Sequence, residues 1–226
     1  MKNILILAPH PDDEILGCGG LIAKEVNNKS NVYIAIMTNG NIGAPELFPI
    51  EGTKRGRAEA KKAHKLLGVK ETFFYDFPAP RLDTQASYKI NIEISKLVNK
   101  LDIDDLYIPH RGDIHKDHRV IYESALVAAR PTKEKNIRRI LAYETLSETE
   151  WAAPLGDDVF IPNIFIEITE DELKAKVQAF ECFTEPRIKY APHSRSADGI
   201  KHLARYRGAT ITKYYAEAFS LVREIL

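Results

Sequence analysis

The sequence predicts an α/β fold: a Rossmann-like, doubly wound, mostly parallel sheet with helices on both faces. Two observations predict it. Short apolar runs of strand length alternate with amphipathic stretches of helix length along most of the chain. The chemistry-bearing residues crowd directly behind two of those runs, where open α/β sheets bind ligands beyond the carboxyl ends of their strands. No internal repeat or low-complexity linker interrupts the pattern, so residues 1–226 are read as a single domain.

The elements follow in order. Ile4 to Ala8 is an uninterrupted apolar run and reads as a buried strand, with a helix from about Glu14 to Asn27 behind it. Val32 to Met37 is a second strand, followed by a Gly- and Pro-containing loop from Asn39 to Thr53. Arg57 to Leu67 is helical, with Gly68 as its stop. Thr72 to Tyr75 is a third strand, Ala86 to Lys100 a helix, Leu106 to Ile108 a short fourth strand and Lys116 to Ala129 a helix. Ile137 to Tyr143 and Val159 to Ile168 read as further strands. The last third is less regular. It holds helices over Asp171 to Phe183 and Ala197 to Tyr206, a loop from Thr184 to Ser194, and a segment from Tyr215 to Ile225 that fits strand and helix equally.

Lysine plus arginine and aspartate plus glutamate both number 32, so nothing in the charge balance points to nucleic acid or an anionic membrane. Cys18 and Cys182 form no CxxC pair, which argues against a disulfide framework. The apolar run at the N-terminus is too short for a signal peptide and stops at Pro9-His10. No stretch approaches the roughly 20 apolar residues of a membrane helix. The expectation is a cytoplasmic protein with no integral membrane segment.

The first strand runs into Ala8-Pro9-His10-Pro11-Asp12-Asp13-Glu14, and the fourth into Pro109-His110-Arg111-Gly112-Asp113-Ile114-His115-Lys116-Asp117-His118. A single aspartate there would read as a helix N-cap. Adjacent Asp12 and Asp13 beside His10 are better explained by a compensating cation, because like charges that close are costly. His115 and His118 could be surface residues on a first helical turn, yet their spacing puts them on one face. Joined to His10 and an aspartate, they make the nitrogen–oxygen donor set that suits zinc. The two segments meet if strands one and four are neighbours at the switch point of the sheet.

Ala8-Pro9-His10-Pro11-Asp12-Asp13-Glu14 resembles the A-H-P-D-D-E signature of PIG-L/LmbE-like deacetylases, and His115-Lys116-Asp117-His118 resembles their H-x-D-H signature. Ala204 to Gly208 and Tyr215 to Phe219 are similar to the family's C-terminal blocks. The resemblance implies His10, Asp13 and His118 as metal ligands and Asp12 as general base. It implies His115 as stabiliser of the tetrahedral intermediate, Asp117 as the residue orienting His115, and Glu14 as support behind them. It also implies a substrate-binding arginine three residues before Glu59. Gly56 stands there, between Arg55 and Arg57, and Arg57 is assigned the role. The implied cofactor is Zn2+, with Fe2+ or another divalent ion as alternative, and the implied assembly is a homo-oligomer of unspecified number. The implied substrate is an N-acetylglucosamine-type amino sugar or a small conjugate of one.

Other residues carry weaker signals. Loops Asn39 to Thr53, Asp76 to Thr84 and Tyr190 to Ser196 are expected to supply sugar contacts, with Asn41, Arg81, His193 and Arg195 as candidates beside Arg57. For His193 and Arg195 a solvated loop is an equal reading. Trp151 fits a stacking platform or plain core packing. Gly17-Cys18-Gly19-Gly20 comes too late after the strand for a dinucleotide loop and reads as close helix–sheet packing. His64 and His202 read as surface or packing residues, and His110 as a neighbour of the site. Two rival functions stay open: a metal hydrolase of another amide or ester, and a non-catalytic nucleotide- or sugar-binding module.

Overall fold

The computed structural model describes residues 1–132 and 137–226. Seven strands form one sheet: β1 (Asn3–Ala8), β2 (Asn31–Asn39), β3 (Glu71–Pro78), β4 (Asp105–Pro109), β5 (Arg139–Tyr143), β6 (Ile164–Glu167) and β7 (Ala216–Glu224). Between them lie α1 (Asp13–Asn27), α2 (Gly40–Gly43), α3 (Ile50–Leu67), α4 (Ser87–Leu101), α5 (Lys116–Ala128), α6 (Glu170–Phe180) and α7 (Ala197–Thr210). The strand order is β3-β2-β1-β4-β5-β7-β6. The first five strands are parallel, and β7 runs antiparallel to both β5 and β6. The doubly wound, mostly parallel expectation therefore holds, with one reversed strand set into the sheet.

β1 is the reason for two cores. Its residues are apolar on both sides of the pleat, as a central parallel strand requires. Ile4, Ile6 and Ala8 join the core beneath α1, α3, α6 and α7. Leu5 and Leu7 join the core beneath α4 and α5. The chain winds out through β2 and β3 on one side of β1 and returns through β4 on the other. That reversal puts the carboxyl ends of β1 and β4 side by side, in the register Ile4 with Asp105 and Ile6 with Tyr107.

Element boundaries differ from expectation in several places, among them α6, which ends at Phe180 in place of Phe183, and α7, which runs on to Thr210 in place of Tyr206. α3 begins at Ile50, seven residues before the anticipated start at Arg57. Pro49 precedes its first turn and Glu51 lies within it, both favourable there. The turn is exposed, so no apolar period marks it. β3 runs on to Pro78. The strand expected over Val159 to Ile168 is confined to Ile164–Glu167, because Pro162 cannot donate to a ladder. The ambiguous C-terminal segment is strand β7, where Ala216 to Phe219 is buried. Gly68 terminates α3 as expected, in the left-handed conformation at φ 75°. Among the described residues no helix is long and apolar enough to cross a membrane.

The glycines of α1 work as close-packing positions. A Cβ at Gly17 would lie 2.2 Å from the Tyr143 ring, whose hydroxyl donates to the Leu7 carbonyl and so pins the end of β1. A Cβ at Gly19 would lie 2.6 Å from Lys176 Cγ. Through that opening Lys176 Nζ donates to the Leu16 carbonyl at 2.8 Å and to Glu217 Oε1 at 2.6 Å. Glu217 in turn accepts the backbone N–H groups of Gly20 and Leu21 at 2.9 and 2.7 Å. α6 and β7 are thus bolted to the middle of α1 by a buried ion pair that also bonds to helix backbone. Removing one partner of such a pair leaves an uncompensated buried charge, typically costing about 3–5 kcal/mol. Lys176→Met should lower the stability read from urea unfolding by that order. A loss below about 1 kcal/mol would show that the pair is not structurally important.

Candidate metal centre and active site

β1 ends at Ala8, and the turn through Pro9 and Pro11 delivers His10, Asp12 and Asp13 to the start of α1. Asp12 is the N-cap residue, at φ 114° in the left-handed region that L side chains rarely adopt. Its carbonyl accepts from Ile15 and Leu16, but its side chain makes no capping bond. The capping reading of Asp12 therefore fails, and its carboxylate is left for other work. The second segment enters from β4. His115 is the N-cap of α5, and its Nδ1 accepts the Asp117 N–H at 3.2 Å. His118 follows in the first turn, fully buried.

The two segments converge. Asp13 Oδ2 accepts the His10 N–H at 2.9 Å and lies 3.3 Å from both His10 Nδ1 and His118 Nε2. The donor atoms of His10, Asp13 and His118 all lie within 4.8 Å of one another. His118 Nδ1 is hydrogen-bonded to Asp113 Oδ2 at 2.7 Å, and Thr149 Oγ1 donates to Asp113 Oδ1 at 2.6 Å. The far nitrogen of His118, Nε2, is buried and has no hydrogen-bond partner among the described residues. A carboxylate-held imidazole with its other nitrogen unpaired and aimed at a carboxylate is how metal-ligating histidines are arranged. The residues present fit a divalent ion. A second trio, His10, His115 and Asp117, shares His10.

The electrostatics of the cluster point the same way. Burial works against charge on His10, but its hydrogen bonds to Asp117 and Asp13 outweigh that and raise its pKa to about 9. Burial likewise opposes charge on His118, and Asp13 and Asp113 hold it protonated well above the usual range. Asp13 is held well below the carboxylate range by the two imidazoles, against the effect of its burial. Protons thus sit among these donors, and a bound cation would displace them.

Asp117 meets His115 through its backbone more closely than through its side chain. Its carboxylate is hydrogen-bonded to His10 Nε2 at 3.0 Å and to the Leu82 N–H at 3.1 Å, but stands 3.9 Å from His115 Nδ1. It orients His10 with its side chain and meets His115 through its backbone. Since His115 Nδ1 accepts, the proton of the neutral ring is on Nε2. Burial and the neighbouring His10 lower the His115 pKa to about 4.

Asp12 is bonded to the Arg195 guanidinium, and Arg187 Nε approaches it to 4.0 Å. Burial raises the Asp12 carboxyl to about 7, with Arg195 pulling it down and Asp13 pushing it up. Glu14 braces the strained turn from beneath. Its Oε2 accepts the Asp12 N–H at 3.1 Å, and its Oε1 is 2.8 Å from His64 Nε2. His64 Nδ1 in turn meets Thr72 Oγ1 at 2.8 Å.

His10, Asp12, Asp13 and His115 line a cavity of about 360 Å³ together with Leu47, Phe48, Arg55, Arg57, Arg187 and Arg195. Arg57 lines it while also bonding Asp76 and the Tyr75 carbonyl. Arg195 lines it, whereas His193 lies outside those walls with its ring edge-on to Trp151, centroids 5.3 Å apart. His110 bonds the Asp158 carbonyl and stays outside the cluster.

Three residues at the site, Asp113, Glu148 and Arg187, escaped the sequence reading. His64, expected as a surface or packing residue, is the latter, buried at 2% exposure. Its place four residues after Ala60, on the face shared with Ala63 and Leu67, was the available signal. Asp113 lay unassigned within the second cluster. Glu148, pushed up to about 7 by burial, stands five residues after the end of β5 and lines the same cavity, and its place behind a strand was its signal. Arg187 had none.

This is an α/β protein with a histidine–carboxylate cluster of metal-ligand type at the switch point of its sheet. The chain belongs to the PIG-L family, described as GlcNAc-PI de-N-acetylase, which it matches over residues 5–129. It is 30% identical over 188 residues to the uncharacterized deacetylase YaiS of Escherichia coli, covering 80% of this chain and 89% of that one. It is 31% identical over 128 residues to the diacetylchitobiose deacetylase of Thermococcus kodakarensis, covering 53% of this chain and 46% of the relative. Among solved structures it resembles the 4-carboxy-2-hydroxymuconate hydratase GalB of Pseudomonas putida, with TM-score 0.80, 17% identity and coverage of 100% and 98%. At that identity the likeness concerns the fold.

If Asp113 holds His118 for a metal, Asp113→Ala should weaken metal affinity about 10–100-fold, the usual effect of losing such a partner. Competition with a chromophoric chelator measures it, with circular dichroism as a check on folding. Unaltered affinity in a folded variant would separate Asp113 from the metal.

Proposed function

We propose that the protein is a metal-dependent N-deacetylase that hydrolyses the acetamido group of an N-acetylglucosamine-type sugar or a small conjugate of one. The observation that carries this reading is the buried, unpartnered Nε2 of His118 facing Asp13 and His10, with Asp12 beside them and unused as a cap. Membership of a de-N-acetylase family and a relative named for diacetylchitobiose support the choice of bond and sugar.

His10, Asp13 and His118 would hold the ion, which we take to be Zn2+, with Fe2+ as the alternative. When bound, such an ion supplies Lewis acidity that polarises the amide carbonyl and acidifies the attacking water. The protein's own residues do the rest. Asp12 takes the proton of the attacking water, and Arg195 fixes its carboxylate. Glu14 and His64 keep the Asp12 backbone in place. His115, held by the Asp117 N–H, donates a hydrogen bond from its Nε2 to the oxyanion, and the proton that Asp12 has taken passes to the departing amine. The C–N bond breaks, releasing acetate and the free amino sugar.

Two neighbouring aspartates should then behave differently. Asp12→Asn should keep its metal and lose most turnover, whereas Asp13→Asn should lose metal. Equal metal loss in both would remove the division of labour. His115→Ala should lower kcat by about 10²–10³, the effect of losing one oxyanion donor, with little change in substrate affinity. A change confined to KM would make His115 a binding residue. Acetate release from N-acetylglucosamine, its oligomers, glycosides and nucleotide-linked forms, with N-acetyl amino acids alongside, tests the substrate. Turnover of the amino acids alone would keep the amidase and reject the sugar.

A further inference from the structure

Gly56 lies inside α3, between two arginines that line the cavity. Glycine is a poor helix former, and the helical backbone at this position makes no special demand on φ. What it provides is space. A Cβ built on Gly56 would lie 2.7 Å from Arg187 Nη2 and 2.8 Å from Arg187 Cζ. The guanidinium of Arg187, which arrives from the segment between α6 and α7, is seated on the bare backbone of the helix.

That guanidinium is in excess at the base. Asp12 already has Arg195 as its bonded partner, and Arg187 stands further off, Nε at 4.0 Å. The Arg187 side chain is 23% exposed, so its charge is only partly hydrated. Arg55 and Arg57 flank Gly56 in sequence and also line the cavity. Their neighbouring carboxylates, Glu59 at 3.9 Å and Asp76 at 2.6 Å, are not among the described residues that line the cavity. Arg57 Nε is buried without a hydrogen-bond partner among the described residues. Three guanidinium-bearing residues lining a concave site match an oxyanion, which planar N–H forks recognise through paired bonds.

We propose that Arg187, seated on Gly56 and flanked by Arg55 and Arg57, forms an anion subsite. The amino-sugar substrate then carries an acidic group, phosphate or carboxylate, on a ring carbon adjacent to the acetamido carbon. Adjacency follows from position. Asp12 must reach the water that attacks the amide, and Arg187 is beside Asp12, so the acidic group it meets is near the scissile bond. This inference rests on the deacetylase reading above and narrows it.

The metal-loaded full chain is assayed for acetate release from four compounds. N-acetylglucosamine 1-phosphate and N-acetylmuramic acid carry a phosphate or carboxylate from adjacent carbons. N-acetylglucosamine 6-phosphate carries its charge remotely, and methyl N-acetylglucosaminide is neutral. At least one adjacent-acid compound should exceed both the neutral and the remote one in kcat/KM by about 10–100-fold, the range for hydrogen bonds to a charged group. Whichever does so identifies phosphate or carboxylate as the source. In Arg187→Ala that ratio should fall toward one. Adding Gly56→Arg to that variant brings a guanidinium to the same space from the helix side and should restore the ratio. A wild-type ratio near one, or a ratio indifferent to Arg187→Ala, overturns the proposal. If all four compounds are inert, the deacetylase reading is what fails. Calorimetric titration with glucosamine 1-phosphate and methyl glucosaminide then decides the subsite. Tighter phosphate binding that is lost in Arg187→Ala supports it, and equal binding of the two overturns it.

Discussion

Three consecutive carboxylates, Asp12, Asp13 and Glu14, are all buried, at 3%, 2% and 0% exposure. Charges that close cannot share a dry turn unless each finds its own partner. The structure separates them in three directions. Asp12 reaches Arg195 in the segment before α7, Asp13 reaches His10 and His118, and Glu14 reaches His64 on α3. One turn at the end of β1 thereby ties together α1, α3, α5 and the segment before α7. The site's geometry is the solution to that electrostatic problem, and the left-handed backbone of Asp12 is a strain that solution holds in place.

Much of this was legible in the sequence, for identifiable reasons. The apolar run Ile4 to Ala8 announced a central strand. The two polar clusters behind strands one and four announced a shared edge, and the β1–β4 pairing brings them together. His10, Asp13 and His118 do converge. What stayed hidden lacked a local signature. Arg187 and Arg195 reach Asp12 from a segment more than 170 residues away in sequence, and no pattern in that loop encodes the contact. That the Asp117 carboxylate accepts from His10 and stands further from His115 depends on side-chain distances, which spacing on a helix does not set. The start of α3 was missed because its first turn is exposed and opens on Pro and Gly, residues that also mark loops.

The glycines of α1 illustrate the reverse case. Their function as packing positions was legible, but their beneficiary was not. They admit Lys176 and Glu217, a buried pair from α6 and β7 that bonds to the backbone of α1 itself. The same helix that begins at the site is thus held at its middle by elements from the far end of the chain. Rigidity at Asp12 and Asp13 is anchored from both ends of the sequence.

The segment between α6 and α7 has a separate meaning. His10, Asp12, Asp13, His115 and His118 all fall within residues 5–129, the span that matches the family. Arg187 and Arg195 fall outside it, on one stretch tethered by the Thr184 hydroxyl to Glu59 at 2.5 Å. The histidine–carboxylate cluster and these two arginines are therefore carried by different lengths of chain, which meet at Asp12, at Gly56 and through Thr184 and Glu59. Substitutions in the stretch from Thr184 to Arg195 would thus reshape one part of the cavity lining while leaving His10, Asp13 and His118 in place.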